Sequence, residues 1–102
     1  MVARVTHLRI RPGKMEEFYK IAQSFVPAMD KLHGFRALLI LRGEEEDSRD
    51  AIAISVWDSE EDMSISENNE LYFKGLGQVI GCCETFSPMH IQEVMLSKFA
   101  IP

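Results

Sequence analysis

The 102-residue sequence predicts an α+β fold with the element order β-α-β-β-α-β, in which one antiparallel sheet carries its helices on one face. Two observations lead to this prediction. Short apolar runs bounded by turn residues indicate four strands. Two longer segments instead space their apolar residues three and four positions apart, which is the spacing of one helical face.

The first half of the chain predicts a strand, a helix and a second strand. A strand over 2–11 is closed by the turn pair that begins at Pro12. The helix that follows has one apolar face, made of Phe18, Ile21, Ala22, Phe25, Met29 and Leu32. Pro27 removes one backbone hydrogen bond and predicts a kink or an early weakening. Gly34 can end the helix in the left-handed conformation, and 35–42 is the second predicted strand.

The polar stretch 43–50 has no periodicity and predicts a hairpin loop, since it lacks the ordered alternation of a calcium-binding loop. The third strand is predicted over 51–57. Ser59 followed by Asp62 resembles a capping box, and acidic side chains favour the positive end of a helix dipole. The acidic run after the third strand is therefore explained by helix initiation.

A second helical region is predicted over 59–81, with a break at 66–69. Its predicted buried stripe consists of Tyr72 or Phe73, Leu76, Val79 and Ile80. The fourth strand is predicted over 89–96. Cys82 and Cys83 lie between this helical region and the fourth strand. Because they are adjacent, a disulfide between them would be strained, and they lack the further ligands at regular spacing that a zinc site needs. We expect free thiols and no metal.

The composition is that of an ordinary soluble domain, with 46% hydrophobic and 26% charged residues. We expect a single domain over 1–102. The net charge of −5, with scattered basic residues, argues against a nucleic-acid partner. No apolar run has the length of a signal peptide or membrane span, so the expected location is cytoplasmic, without a membrane partner.

Both faces of the second and third strands are apolar, which predicts a further covering layer. One set is Phe35, Ala37, Leu39 and Leu41 with Leu38 and Ile40, and the other is Ile52, Ile54 and Val56 with Ala51, Ala53 and Trp57. Two helices can cover only one face of the sheet. A second copy of the chain is the simplest cover for the other face, so we expect a homodimer formed through the sheet.

Three motifs resemble a known family. Arg-Pro-Gly-Lys at 11–14 precedes the first helix, His-Gly-Phe at 33–35 opens a strand, and Ser-Val-Trp-Asp-Ser-Glu-Glu-Asp-Met at 55–63 closes the third strand. Together they resemble the antibiotic-biosynthesis monooxygenase domain of the dimeric α+β barrel superfamily, over nearly the whole chain. The resemblance implies a ferredoxin-like fold that pairs into a dimeric α+β barrel.

The resemblance also implies functional residues. Trp57 matches a tryptophan that lines the substrate pocket of polyketide oxygenases and touches haem in the haem-degrading members. His7 lies where those members carry an asparagine. The segment 72–77 aligns with the helix that supplies their iron-ligating histidine, and here it holds glycine and leucine instead. We therefore expect no haem and no other cofactor, and haem degradation is not the favoured activity.

Strand alternation places Ala53 and Ser55 on the face of Trp57, where small side chains leave room for a ligand. We expect His7 to share that face and Phe73 to add an aromatic wall. The resemblance then implies a cofactor-independent monooxygenase of a quinol or polyketide-like aromatic substrate, with His7 as the base. Two alternatives stay open: Trp57 belongs to the core, or the dimer only binds a small aromatic or apolar ligand.

Overall fold

The computed structural model describes residues 1–87 and 90–98. The elements are β1 (Val2–Ile10), α1 (Met15–Met29), β2 (Phe35–Arg42), β3 (Asp50–Trp57), α2 (Glu60–Ser66), α3 (Glu70–Gly81), β4 (Cys83–Phe86) and β5 (His90–Glu93). The strands form one antiparallel sheet in the order β2-β3-β1, and both β4 and β5 pair with the free edge of β1. The predicted α+β class with an antiparallel sheet is confirmed.

Several local predictions are confirmed. The predicted bounds of β2 agree with the structure, and Gly34 before it has a positive φ of 79°. The Ser59 side chain accepts a hydrogen bond from the Asp62 backbone N–H, as the capping motif predicts. The predicted break separates α2 from α3, where the Asn69 side chain caps the new helix. Helix α1 continues through Pro27 and ends at Met29.

The prediction of a single strand after the second helical region is wrong. The nine residues of β1 take two short partners placed end to end. Strand β4, which the sequence analysis missed, pairs with Leu8 to Ile10, and β5 pairs with Val2 to Val5. The predicted strand over 89–96 corresponds to β5, and its first residue, Met89, lies outside the described residues.

The core lies between the sheet and the helices and consists of two buried clusters. One cluster is Leu8, Ile10, Phe18, Ala51, Cys82 and Cys83. The other is Met29, Trp57, Met63 and Tyr72. Every strand residue in either cluster points to the same side of the sheet, which we call the inner face. Cys82 and Cys83 are free thiols, as predicted.

The other side of the sheet, which we call the outer face, carries a continuous apolar surface. Its cross-strand rows include Val5 beside Ile54, with Leu39 on the next strand. The complete set of apolar outer-face side chains on β1, β2 and β3 is Ala3, Val5, Ala37, Leu39, Leu41, Ile52, Ile54 and Val56. Leu39 and Leu41 are each 46% exposed. Both faces of the central strands are therefore apolar, as the sequence predicts.

Within the described ranges, no helix is long and apolar enough to cross a membrane.

Helices α1 and α3 pack closely at Gly75, and we expect this contact to be essential for stability. A Cβ atom at Gly75 would overlap the ring of Phe25, whereas a Cβ at Gly77, on the same helix, would meet nothing. Gly75→Ala should therefore lower the free energy of unfolding by about 1–3 kcal/mol. Gly77→Ala should raise it by about 0.5–1 kcal/mol, because alanine loses less backbone entropy. Urea unfolding of both variants measures the difference, and equal effects would contradict the close packing.

Candidate functional site

A cavity lies between the inner face of the sheet and the helices α1 and α3. Its water-accessible volume is about 80 Å³. Most of the wall is apolar, and the polar contributions are Arg4, Thr6, Ser55 and Tyr72. The apolar lining residues are Leu8, Phe18, Ala22, Phe25, Met29, Leu38, Ile40, Ala53, Leu76, Val79 and Phe86.

The pairing of β1 with β3 determines which strand side chains reach this cavity. Arg4 pairs with Ser55 and Thr6 pairs with Ala53 in the antiparallel register. Directly paired residues point to the same side of a sheet, and side chains alternate along each strand. The even-numbered residues of β1 therefore share the inner face with the odd-numbered residues of β3.

Arg4 provides the charged group of the cavity wall. The residue is buried, with only 4% of its surface exposed. Its Nη1 donates to the hydroxyl of Tyr72. Its Nη2 donates to the Met63 carbonyl oxygen at 3.3 Å and to Glu67 Oε1 at 3.0 Å. These contacts connect β1 to α2 and α3 and fix the guanidinium at one end of the cavity.

Tyr72 contributes a buried hydroxyl next to Arg4. Burial raises the pKa of the Tyr72 phenol above its ordinary value of 10.0, and the positive charge of Arg4 opposes this effect without cancelling it. The phenol is therefore neutral at physiological pH. Its ring lies 5.3 Å from the ring of Phe25 between centroids. Tyr72 thus presents a hydrogen-bonding group at the end of an aromatic wall.

Trp57 lies in the core behind the cavity wall and is fully buried. Its indole packs edge-on to Phe35 and Tyr72, with centroid distances of 5.4 and 6.4 Å. Its Nε1 donates a 2.9 Å hydrogen bond to Ser55 Oγ. An accepting hydroxyl retains a proton to donate, so Ser55 can still donate to a ligand in the cavity. Trp57 therefore supports the wall through Ser55 and is not part of the lining.

The prediction that His7 shares a face with Trp57 is wrong. His7 pairs with Ile52, which places both on the outer face, and His7 is exposed. The parity error arose because residue 2, and not residue 3, stands opposite Trp57. The whole sheet separates the imidazole from the cavity. The catalytic role assigned to His7 stays a prediction, and the cavity described here does not use it.

The structure also corrects the position of Phe73. The side chain is 69% exposed, while the neighbouring Tyr72 points inward. The inner face of α3 follows the helical period from Tyr72 through Leu76 to Val79, which excludes Phe73. Ile80 is likewise more exposed than predicted, at 42%. Ala53 and Ser55, in contrast, are both in the cavity lining, where the sequence analysis placed them.

A wider groove between α1 and β2 borders the cavity. Phe18, Ala22, Leu38 and Ile40 line both spaces. The groove has about 670 Å³ open to the centre of a water molecule, and Tyr19, Gln23 and Arg42 contribute to its wall. The side chains that line both spaces therefore form the boundary between the groove and the cavity.

Sequence reasoning missed Arg4 and Thr6 as site residues. The signal was present in the parity of β1. Its even positions include Val2, Leu8 and Ile10, which form the more apolar set, and a polar pair within that set is unusual for a core-facing row. Buried polar side chains among apolar neighbours are a stronger indication of a site than an exposed histidine.

Over 1–87 and 90–98, no group of three or more His, Cys, Asp or Glu side chains is arranged to hold a metal ion.

Comparison with protein families gives one match, to the family of antibiotic biosynthesis monooxygenases, over residues 1–74. The chain belongs to this family. The family resemblance predicted from the three motifs is thereby confirmed. A search of curated proteins found no significant match.

Solved structures share this fold at low sequence identity. SnoaB, a cofactor-independent oxygenase from Streptomyces nogalater, has a TM-score of 0.81 and 14% identity, with 94% of each chain covered. A putative antibiotic biosynthesis monooxygenase from Nitrosomonas europaea has a TM-score of 0.81 and 12% identity, covering 94% of this chain and all of the other. A conserved protein from Methanosarcina mazei has a TM-score of 0.74 and 14% identity, covering 89% and 87%.

The buried phenol of this family member generates a prediction about alkaline pH. The variant Tyr19→Phe leaves Tyr72 as the single tyrosine of the chain. Because burial raises the Tyr72 pKa, its tyrosinate absorbance should appear at higher pH in the native protein than in the same variant unfolded in urea. The unfolded state then loses its proton first, so the Tyr72 contribution to stability is constant below pH 10.0 and falls above it. Coincident native and unfolded titrations would contradict this.

Proposed function

We propose that the protein is a cofactor-independent monooxygenase that acts on a quinol or polyketide-like aromatic substrate bound in the cavity between sheet and helices. The observation that carries this proposal is an apolar, partly aromatic cavity with a single polar end. Family membership supports the class of reaction. The fold shared with a cofactor-independent oxygenase is consistent with chemistry that needs no bound cofactor.

The wall of the cavity suits a planar apolar molecule with one oxygen substituent. Phe18, Phe25 and Phe86 provide aromatic contact surface, and apolar walls exclude competing water. At the other end, Arg4, Ser55 and Tyr72 offer donors to an oxygen atom. The substrate would therefore bind with its oxygen inward and its rings against the helices.

The enclosed part of the cavity limits how much of the substrate it can hold. A dry engineered cavity of roughly 150 Å³ accommodates benzene, and the enclosed space here is smaller, about 80 Å³. The wider groove between α1 and β2 lies next to it and shares four of its lining residues. We infer that the oxygen-bearing edge of a ring enters the cavity and that the rest of the molecule lies along the groove.

The proposed reaction needs no external reductant. Oxidation of an activated methylene to a carbonyl follows R₂CH₂ + O₂ → R₂C=O + H₂O. One oxygen atom enters the product and the other leaves as water, with the substrate supplying all the electrons. The protein has to bind the substrate, favour its electron-rich anionic form and exclude water.

Oxygen uptake with a panel of quinols and anthrones tests the proposal. We expect one O₂ consumed per molecule of product and a saturable rate. Ala53→Leu should lower the rate at least tenfold, because it fills the cavity beside Thr6. Ala28→Leu, the same change on α1 outside the cavity lining, should leave the rate unchanged. If ligands perturb the emission of Trp57 but no oxygen is consumed, the chain is a ligand-binding protein and the enzymatic proposal is wrong.

We also propose that the protein is a homodimer whose partner covers the outer face. The support is the apolar outer face of the sheet, on which Leu39 and Leu41 are exposed and Val5, Ile52 and Ile54 are half-buried. A two-fold axis through this face would let the same residues bury one another, as in a symmetric interface. Residues such as Leu39 and Ile54 would then become fully buried, which increases the stability of the central strands.

Light scattering at low micromolar concentration tests the dimer. The wild-type protein should have about twice the chain mass. Leu39→Glu, in the exposed apolar part of the outer face on β2, should give a monomer, because a buried interface does not tolerate an unpaired carboxylate. Leu71→Glu is the matched control, because Leu71 is 65% exposed on α3, in the helix layer. A monomeric wild-type protein would overturn the proposal.

A further inference from the structure

Arg4 has hydrogen-bonding capacity that its protein partners do not exhaust. A guanidinium carries five N–H groups. In the described part of the chain, three hydrogen bonds occupy three of them: to the Tyr72 hydroxyl, the Met63 carbonyl and the Glu67 carboxylate. Two N–H groups remain on a side chain that lines the cavity. A ligand oxygen at this end of the cavity can therefore be bound without breaking an existing contact.

The charge of Arg4 is also only partly compensated. Glu67 provides the one carboxylate within salt-bridge distance of Arg4 among the described residues, and its side chain is 58% exposed. Water competes for such an exposed carboxylate and weakens its effect on the buried guanidinium. The described cavity lining holds no acidic side chain and no histidine. Within the cavity, Arg4 is accordingly the one formal charge that a ligand meets.

We propose that Arg4 recognises the ionised hydroxyl of an aromatic phenol or enol, with Tyr72 and Ser55 as neutral hydrogen-bond donors. This names the form in which the substrate of the proposed function binds and rests on that function for its catalytic consequence. The ligand loses its proton to bulk water, and no bond within the protein changes. Arg4 thus replaces a general base: it makes the anion stable in the cavity instead of removing the proton.

Two opposing influences decide whether the pKa of a bound phenol rises or falls. Transfer of a phenol into an apolar cavity raises its pKa, because the charged form is desolvated. A guanidinium within about 4–6 Å lowers the pKa of an acid by roughly 1–3 units. Tyr72 shows that a single hydrogen bond from Arg4 does not outweigh burial. A ligand oxygen would accept hydrogen bonds from Arg4, Ser55 and Tyr72 together, and hydrogen bonds donated to the charged form lower the pKa further. A bound phenol should therefore be a stronger acid than the free phenol, and the difference should reverse when the charge is removed.

Visible absorbance of 4-nitrophenol tests this directly, because its phenolate absorbs where the phenol does not. With saturating wild-type protein, we expect the acid dissociation constant of bound 4-nitrophenol to be about tenfold larger than that of free 4-nitrophenol. The phenolate should therefore bind about tenfold more tightly than the protonated phenol. In Arg4→Met, the acid dissociation constant of bound 4-nitrophenol should fall below that of free 4-nitrophenol. Arg4→Lys keeps the charge and should retain part of the wild-type effect.

Two controls separate charge recognition from damage to the cavity. The neutral ether 4-nitroanisole should bind wild type and Arg4→Met equally well, which also shows that the variant retains its fold. Arg9→Met removes the same charge from the outer face of β1, where Arg9 bonds Asp50, and should behave as wild type. Equal ionisation of 4-nitrophenol in wild type and Arg4→Met would overturn the inference, and so would a wild-type protein that binds the ether but not the phenolate.

The same titration distinguishes this inference from the proposed function. Neither probe requires oxygen, so the measurement is made without turnover. If wild type favours the phenolate but consumes no oxygen with any quinol or anthrone, anion recognition by Arg4 is correct and the monooxygenase proposal is wrong. If oxygen is consumed at the same rate by wild type and Arg4→Met, and the ionisation of bound 4-nitrophenol is also unchanged, the function stands and the role of Arg4 is wrong.

Discussion

The antiparallel register between β1 and β3 is the constraint on which the site depends. Val2 opposite Trp57 places Arg4 beside Ser55 and Thr6 beside Ala53. A slip of one residue would turn every β1 side chain to the other face. Arg4 would then point away from the helices, Ala3 or Val5 would stand opposite Ser55, and His7 would turn to the cavity side. The backbone pairing of β1 with β3 therefore determines which strand side chains line the cavity.

The register of the sheet determines which strand side chains line the cavity, and the packing of the helices determines its dimensions. Gly75 lets α3 approach α1 closely enough for Phe25 to contact it, and the rings of Phe25 and Tyr72 then form one wall. The Arg4 contacts with Met63 and Glu67 hold the far end. A larger residue at position 75 would separate the helices. A small cavity beside a wider groove favours molecules that are flat at one end.

Local sequence signals predicted most of the fold, because each depends on neighbours in the chain. The Ser59 cap, the Gly34 turn and the bounds of β2 all belong to this kind. The site was predicted only in part. Ala53 and Ser55 follow from alternation within one strand, whereas the placement of His7 required the register between two strands distant in sequence. Alternation gives two possible faces for each strand, and only the pairing decides between them.

The adjacent thiols Cys82 and Cys83 have a consequence for chemical durability. Burial raises the pKa of both thiols above their ordinary value of 9.0. Each therefore stays protonated at neutral pH, and the thiolate is the form that peroxides attack. The Cys83 thiol also donates a hydrogen bond to the Val79 carbonyl oxygen. If the protein uses molecular oxygen as proposed, oxidation of its own cysteines becomes a hazard, and protonation keeps both sulfur atoms in their less reactive form.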